Sequence, residues 1–219
     1  IYAVGNGVQT LNNTGTINVG DSTVQSDPSI GIYNNSDNNI INNSGNITSG
    51  VDSIGIYNRG GQINHLSGNI TANETGVGIY TDSGSINLSS GTINLNGADT
   101  VGIYAINGAA VDNNASLNVS DNSFGIVMES DSSLVNRNTS VVGDHGIFTY
   151  SDSGKSITNE LGANITLTGS KSLGFYMTNG GSIVNKASIT ANAGDSNIGI
   201  YNKGGSIDNS GEIKIGDSV

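Results

Sequence analysis

The sequence has no cysteine and no tryptophan, one proline, and only 7 basic residues against 18 acidic ones among 219. Without cysteine there is neither a disulfide nor a thiolate metal site, so packing and hydrogen bonds must hold the fold together. The formal net charge of −11 disfavours nucleic acid as a partner, because phosphate binding needs clustered basic side chains. No apolar run approaches the roughly 18 residues of a membrane-spanning helix. We therefore expect no membrane insertion by this segment.

The main feature of the sequence is a repeat that is rich in Gly, Asn and Ile. The chain contains 33 Gly, 33 Asn and 27 Ile residues. A tripeptide of the form Gly-Ile-Tyr recurs with Gly-to-Gly spacings of 24, 23, 24, 23, 21, 28 and 25 residues. Its copies begin at Gly31, Gly55, Gly78, Gly102, Gly125, Gly146, Gly174 and Gly199, and Ile1-Tyr2 is a ninth copy without its glycine. A nearly constant period in this range is the signature of a solenoid.

Each repeat contains three short apolar alternations separated by turn residues. The clearest example has the pairs Val77 and Ile79, Ile86 and Leu88, and Ile93 and Leu95. Residues two apart on a strand share a face, so we predict three strands per coil with both members of each pair inside. Helical periodicity and the recurrent leucines of leucine-rich repeats are both missing. The sequence therefore predicts an all-β fold, a parallel β-helix of about nine coils of ~24 residues.

Asparagine occupies one position of the second strand in seven of nine repeats. The seven are Asn13, Asn43, Asn113, Asn136, Asn159, Asn185 and Asn209. His65 and Leu88 stand there in the other two repeats. The predicted pleat turns this column inward, where an unpaired amide would cost free energy. We therefore expect the amides to hydrogen-bond along the solenoid axis and interpret the column as a structural ladder.

Tyrosine marks a second column, which points outward because the isoleucine before it points inward. Its members are Tyr33, Tyr57, Tyr80, Tyr104, Tyr176 and Tyr201, with Tyr2 ahead of them. Val127 and Phe148 interrupt the column in this alignment. Rings one strand spacing apart, about 4.8 Å, are close enough to stack. The column is interpreted either as an external ladder that protects its own strand or as an aromatic strip for sugar rings or partner side chains.

Acidic residues precede most of the repeat glycines. They are Asp52, Glu74, Asp99, Asp121, Asp144 and Asp195, with Asp21 and Asp217 at comparable turns and Lys171 as the exception. We expect them to stack along one edge of the solenoid. The preference of Asp for turns explains such residues without any function.

Two departures from the repeat are candidate contact loops, since insertions in solenoids lie on the outside and often carry binding. The first coil is long around 21–29, which includes Pro28. The seventh coil is long at 149–155, directly after Phe148. The candidate binding residues there are Phe148, Tyr150, Asp152 and Lys155. An aromatic group, an acid and a base in one loop suit a partner contact, and the alternative is a tolerated insertion without function.

Chemical motifs are scarce. His65 and His145 have no partner at ligand spacing, and the sequence has no calcium-binding loop and no nucleophile elbow. Polysaccharide-cleaving β-helices need paired carboxylates, or a basic group beside acids, in a groove. Here the seven basic residues are scattered. We expect no enzymatic activity, no cofactor and no metal.

The repeat unit resembles the passenger repeats of large type V (monomeric) autotransporters, most closely the Asn/Gly/Ile-rich adhesins of fusobacterial type. The resemblance rests on Gly-Ile-Tyr at 199–201 followed by Ile-Asp-Asn-Ser-Gly-Glu-Ile at 207–213, and it covers essentially the whole chain. It implies a right-handed β-helix, in keeping with the usual crossover preference. It also implies an extracellular location on the bacterial surface, tethered to the outer membrane through a translocator domain that this fragment lacks.

From this resemblance we expect residues 1–219 to be a single β-helix segment, a monomeric fragment of a longer passenger. The expected function is adhesion, with a host-cell glycan, a host protein receptor or the surface of a partner bacterium as the binding partner. Two alternatives stay open. The segment is either a non-binding stalk that displays a distal adhesive head, or a carbohydrate-active β-helix enzyme.

Overall fold

A computed structural model describes residues 1–5, 7–191 and 193–216, and in these ranges the chain forms 27 short β-strands. The strands are β1 (Tyr2–Val4), β2 (Thr10–Asn13), β3 (Thr16–Asn18), β4 (Ile30–Asn35), β5 (Ile40–Asn43), β6 (Asn46–Ser49), β7 (Ile54–Asn58), β8 (Gln62–His65), β9 (Asn69–Asn73), β10 (Val77–Asp82), β11 (Ser85–Leu88), β12 (Thr92–Asn96), β13 (Val101–Ile106), β14 (Ala110–Asn113), β15 (Ser116–Val119), β16 (Phe124–Met128), β17 (Ser133–Asn136), β18 (Ser140–Val142), β19 (Ile147–Ser151), β20 (Ser156–Asn159), β21 (Ile165–Leu167), β22 (Leu173–Met177), β23 (Ser182–Asn185), β24 (Ile189–Ala191), β25 (Ile198–Asn202), β26 (Ser206–Asn209) and β27 (Ile213–Ile215). Within the described ranges we find no helix long and apolar enough to cross a membrane.

Every third strand joins the same parallel sheet, which gives three sheets of nine strands each. We call them sheet A, which starts with β1, sheet B, which starts with β2, and sheet C, which starts with β3. The chain is a right-handed parallel β-helix with three strands per coil, of which the repeat predicts the three strands and the family resemblance implies the hand. Equivalent residues of successive repeats lie side by side, for example Tyr33 beside Tyr57 and Tyr80 beside Tyr104.

The core consists of stacked columns of mostly isoleucine, one set from each sheet. Ile79, Ile86 and Ile93 represent the three sheets in one coil, and all three are fully buried. In sheets B and C the residue two positions further on is also inside, as at Leu88 and Leu95. The predicted alternation therefore holds in these two sheets, where β-branched and other aliphatic side chains fill the interior.

Sheet A departs from the predicted alternation. Val77 lies half-buried on the outer surface, whereas the next two residues, Gly78 and Ile79, are both buried. A Cβ on Gly78 would lie 2.7 Å from the carbonyl oxygen of Gly102 in the next coil, so only glycine fits there. The prediction that Val77 and Ile79 share the inner face is wrong, because the glycine lets two successive residues face inward.

In the coil that contains β19, the strand register differs from the alignment of the repeats on their Gly-Ile-Tyr glycines. The strand register pairs Phe124 with Ile147 and Val127 with Tyr150, which shifts the motif by two residues. The turn after β19 then has four residues, 152–155, the same number as the turn after β16. The predicted insertion at 149–155 is therefore wrong, because its first three residues belong to a regular strand. The long segment at 21–29 is a true insertion between β3 and β4.

Phe148 takes the place of the repeat glycine in this coil and is fully buried. Its ring packs edge-on against Phe175, with centroids 5.5 Å apart and planes at 81°. Thr149 stands in the isoleucine column of sheet A and Ser140 in that of sheet C. Both hydroxyl groups are buried without a hydrogen-bond partner among the described residues. Two small residues at isoleucine positions thus leave space that one large aromatic side chain fills.

Candidate functional site

The four candidate binding residues do not form one exposed group. Phe148 is buried in the core, so the prediction that it contacts a partner is wrong. Tyr150 is half-buried and takes its place in the tyrosine column beside Tyr176, with ring centroids 5.8 Å apart. Asp152 and Lys155 lie exposed in the turn after β19. Lys155 Nζ lies 3.2 Å from Asp131 Oδ1 in the preceding coil.

The tyrosine rings of the first coils form a continuous stack on the outer face of sheet A. Successive centroids from Tyr2 through Tyr33 and Tyr57 to Tyr80 are 5.0–5.1 Å apart, with planes within 10° of parallel. Tyr104 continues the stack at 5.5 Å and 20°. Each ring face is therefore covered by the next ring, and the outer surface of the stack consists of ring edges and hydroxyl groups.

Val127 is the one interruption of the column in the described structure, because Tyr150 fills the place that the sequence alignment gave to Phe148. The hydroxyl of Tyr104 donates a hydrogen bond of 2.9 Å to Glu129 Oε1, in the turn after the strand that contains Val127. Burial is the first cause that raises the pKa of Tyr104, and the hydrogen bond and charge of Glu129 raise it further. This phenol therefore stays neutral at physiological pH. Beyond the gap the rings are tilted, at 39° and 31°.

A column that is aliphatic except for Phe124 runs beside the tyrosines, three residues earlier on each strand, and we call it the aliphatic column. Its members are Ile30, Ile54, Val77, Val101, Phe124, Ile147, Leu173 and Ile198, paired in register from coil to coil. All are half-buried except Ile198, which is exposed. Sequence reasoning placed the column inside, because a strict period of two was applied to sheet A. A glycine follows each member, except at Ile147, where Phe148 takes its place. This recurrent glycine was the signal in the sequence that could have placed the column outside.

The acidic residues ahead of sheet A do not stack in a single column. The stacked position has left-handed backbone dihedrals and holds Asp52, Thr75, Asp99, Asn122, His145, Lys171 and Ser196, with φ between 51° and 61°. Glu74, Asp121, Asp144 and Asp195 stand one residue earlier. The prediction of one acidic column is wrong, since two neighbouring turn positions share these residues. Asp217 lies outside the described residues.

Several of these carboxylates bind the backbone of the next coil. Asp121 Oδ1 accepts a hydrogen bond of 2.7 Å from the Asp144 amide, and Asp144 Oδ1 accepts one of 2.7 Å from the Ser170 amide. The Ser170 amide is the main cause that lowers the pKa of Asp144, and His145, whose Nδ1 is 2.6 Å from Asp144 Oδ2, lowers it further. The acidic edge is thus hydrogen-bonded to the turn backbone as well as exposed.

A second group of acids lies where strands leave sheet A. Asp82, Glu129, Asp131 and Asp152 belong to this edge. Together with the first edge, they border the aliphatic and tyrosine columns on both sides. We call the two columns and their two acidic borders the tyrosine face.

The asparagine column forms hydrogen-bonded runs inside the solenoid. Asn13 donates to Asn43 at 2.7 Å. A longer run links Asn113, Asn136, Asn159, Asn185 and Asn209, each Nδ2 donating to the next Oδ1 at 2.7–2.8 Å. Leu88 separates the two runs. These contacts give the column a structural role, with no amide of the long run open to a ligand except that of Asn209, which is exposed.

His65 ends the first asparagine run. Its Nδ1 lies 2.9 Å from Asn43 Nδ2, so Nδ1 accepts and the proton belongs on Nε2. Nε2 has no partner with hydrogen-bond geometry among the described residues. Burial lowers the pKa of His65, and the carbonyl of Gly68 only partly counteracts it. The imidazole is therefore held neutral in the core.

Sequence reasoning missed a second internal ladder, at the turn between sheets A and B. Asn34 donates to Asn58 at 2.6 Å, Asn58 donates to Thr81 at 3.1 Å, and the Thr81 hydroxyl donates to the Ser83 carbonyl at 2.7 Å. These residues directly follow the tyrosine on each strand. The signal in the sequence was a polar residue at the position that the outward tyrosine turns inward.

Two of the four described ion pairs lie away from the sheet A surface, and the other two, His145 with Asp144 and Lys155 with Asp131, lie on the borders of the tyrosine face. Arg137 binds both carboxylate oxygens of Asp112, at 2.7 and 3.3 Å, and Lys186 Nζ lies 3.0 Å from Glu160 Oε2. Within the described ranges, no group of three His, Cys, Asp or Glu residues is arranged to hold a metal ion.

One family model matches the sequence. It is described as the BigA third pectate lyase-like domain, and the match covers residues 53–219. No curated protein and no solved structure matches the chain.

Proposed function

The chain belongs to the family of the BigA third pectate lyase-like domain, and from this premise we propose that it is an adhesive segment of a surface-displayed autotransporter passenger. The family points to a bacterial surface protein with an autotransporter-like passenger. The finer parts of the proposal are attachment to host cells or other bacteria, the fusobacterial type and tethering to the outer membrane.

The observation that carries the proposal is the family match over a solenoid whose sheet A is apolar and aromatic on its outside. Soluble proteins seldom leave a continuous apolar strip uncovered unless it contacts something. A host glycan, a host protein receptor or the surface of another bacterium are the partners proposed. Asp152 and Lys155 remain candidate contact residues at the edge of this strip, beside the half-buried Tyr150.

Binding of the purified, fluorescently labelled chain to host epithelial cells and to candidate partner bacteria tests the proposal. We expect saturable binding that unlabelled chain displaces. Asp152→Ala combined with Lys155→Ala should weaken it, whereas Asp112→Ala combined with Arg137→Ala, which also removes one acid and one base, should not. A folded chain that binds no cell would favour the stalk alternative.

We also propose that the segment is not catalytic. The support is that acids at the turns, such as Asp121 and Asp144, are engaged with backbone amides, and that Arg137 and Lys186 are engaged in ion pairs. An enzyme of the lyase type would need a free basic group beside acids in a groove. The groove that Arg59 lines contains a single acid, Asp37, and Arg59 there donates a hydrogen bond of 2.9 Å to Asn35 Oδ1. Incubation with polygalacturonate and other acidic polysaccharides should release no unsaturated product by ultraviolet absorbance. Product formation that follows the folded chain would refute this proposal.

A further inference from the structure

The tyrosine face has the layout of a docking surface for one kind of partner. Its centre is apolar, with the aliphatic column and the tyrosine column three residues apart on each strand. Three residues of β-strand span about 10 Å. An α-helix with its side chains is about 10–12 Å wide, so one helix laid along the solenoid axis would cover both columns.

Both borders of this apolar centre carry negative charge. Glu74, Asp99 and Asp121 are exposed on the border where strands enter sheet A. Asp131 and Asp152 are exposed on the border where strands leave it. Between 52 and 171 the basic or titratable nitrogen groups on these borders are Arg59, His145, Lys155 and Lys171. His145 pairs with Asp144 and Lys155 with Asp131, and the acids of the two borders still outnumber the basic residues. The surface therefore complements an apolar ridge with positive charges along both of its sides.

A sugar is a poorer occupant of this surface than a basic protein segment. Stacking on a sugar ring needs an open aromatic face, and Tyr80 and Tyr104, in the coils of the proposed site, cover each other's faces with centroids 5.5 Å apart. A second copy of the chain is also disfavoured, since its two acidic borders would meet two acidic borders.

The loop at 21–29 limits the surface at one end. Pro28 and Gln25 face Ile54 and Val77 across a shallow groove, so the loop lies over the start of the aliphatic column. The column from Val101 onward has no such cover in the described structure. An incoming helix would thus lie on the coils from β10 onward, with Glu74 in the turn before β10 and Val77 at the start of β10 at one end of the site.

We infer that the tyrosine face binds a basic amphipathic helix of a partner protein, with the apolar side of the helix on the two columns and Lys or Arg side chains on the acidic borders. This inference rests on the proposed adhesive function, because it names the partner class for that function. It excludes a glycan as the main ligand of this face.

The first test uses a synthetic helical peptide with a leucine stripe flanked by lysines, titrated against the whole chain by fluorescence anisotropy. We expect saturable binding that weakens with added salt. Glu74→Gln, Asp99→Asn and Asp152→Asn together should weaken it about tenfold, at roughly 0.5 kcal/mol per charge. The matched control, Asp112→Asn, Asp208→Asn and Glu212→Gln, lies on sheet B and the turn after it, changes the net charge equally and should leave affinity within about twofold.

Equal weakening by both sets would overturn the inference, since binding would then follow net charge alone. Val77→Thr combined with Val101→Thr probes the apolar centre and should also weaken binding. An unchanged affinity in that variant, competition by free neutral sugars, or a dimer in sedimentation that the same variant abolishes would each overturn it. Circular dichroism confirms that every variant folds.

The cell-binding assay separates this inference from the proposed function. Loss of cell binding in the Glu74, Asp99 and Asp152 variant alone supports both. Cell binding that is equal in that variant and in its control leaves adhesion standing and overturns the helix-docking inference. Absence of cell binding by the wild-type chain, with the peptide still discriminating between the two variants, overturns adhesion and supports the docking surface.

Discussion

The coils from β4 to β15 and those from β16 to β24 have the same three-stranded architecture, but different residues fill their sheet A columns. In the first group the repeat glycine, the isoleucine and the tyrosine recur without exception in sheet A, and the rings stack within 20° of parallel. In the second group Val127 replaces a tyrosine, Phe148 replaces a glycine, and the rings of Tyr150 and Tyr176 tilt by 39° to each other. The ladder of backbone hydrogen bonds continues through both.

The difference teaches that the solenoid requires core volume and strand register more strictly than the identity of each column. In the irregular coils a large residue from the glycine position compensates small residues at two isoleucine positions. Phe148, Thr149 and Ser140 together keep the interior filled. The cost is two buried hydroxyl groups without partners.

The strongest way to break this compensation is Phe148→Ala. It removes a fully buried aromatic ring beside small neighbours that cannot fill the space, so we expect a loss of about 3–5 kcal/mol in the free energy of unfolding. Phe124→Ala, on the half-buried outer column, is the control and should cost clearly less. Urea unfolding followed by circular dichroism measures both, and equal losses would contradict the core assignment of Phe148.

Asn136→Ala tests whether the asparagine run stabilises the irregular region. It leaves the Nδ2 group of Asn113 and the Oδ1 atom of Asn159 without their partner in a dry interior. We expect a loss of about 2–3 kcal/mol in unfolding free energy. Asn118→Ala removes an exposed amide that donates to Asn94 at 2.7 Å and should change stability by about 0.5 kcal/mol or less. A cost at Asn136 as small as at Asn118 would speak against the ladder as a source of stability.

Thr149→Val should sharpen the comparison by making the irregular region more like the regular one. The substitution keeps the shape and deletes a buried hydroxyl that has no partner, so we expect a gain of about 1 kcal/mol. Thr166→Val on the outer face of sheet C serves as a control with little effect. Thermal and urea unfolding of the two variants decide the matter. Destabilisation by Thr149→Val would mean that the hydroxyl has a partner after all.

His65→Asn is expected to have its effect mainly through pH. Because burial lowers the pKa of His65 below its ordinary value of 6.5, the unfolded chain takes up a proton that the folded chain does not. The stability that the neutral ring provides is present above about pH 6.5 and is lost as the pH falls below it. Unfolding free energies between pH 8 and pH 5 should fall more steeply for the wild type than for His65→Asn. Equal slopes for the two proteins would contradict the burial of a neutral ring at this position.

Much of this architecture follows from the sequence because sheets B and C obey simple alternation. Ile86 and Leu88, or Ile93 and Leu95, lie inside as a period of two requires. The same rule failed in sheet A, because glycine allows two consecutive inward residues and its effect depends on a carbonyl of the next coil. Gly146-Ile147-Phe148 resembles the Gly-Ile-Tyr motif but stands two residues before the true equivalent, so the sequence alignment was wrong in this coil. The strand pairing is what shows that Phe148 lies inside.

The candidate surface was only half visible in the sequence. The tyrosine column could be predicted, since Tyr33 and its equivalents follow an inward isoleucine. The aliphatic column could not, because Val77 looks like a core residue in any alternating pattern. The two acidic borders required the position of each turn in space, as Asp82 and Glu74 are only eight residues apart in sequence yet lie on opposite edges of one sheet.

The asparagine run from Asn113 to Asn209 also gives the solenoid an electrical direction. Every amide in it donates from the N-terminal coil to the C-terminal coil, so the side-chain dipoles point the same way and polarise one another. Leu88 interrupts this alignment and insulates the short run that ends at His65. The interior therefore behaves as two aligned dipole chains in series, in which reversing a single amide would leave a donor facing a donor on one side and an acceptor facing an acceptor on the other.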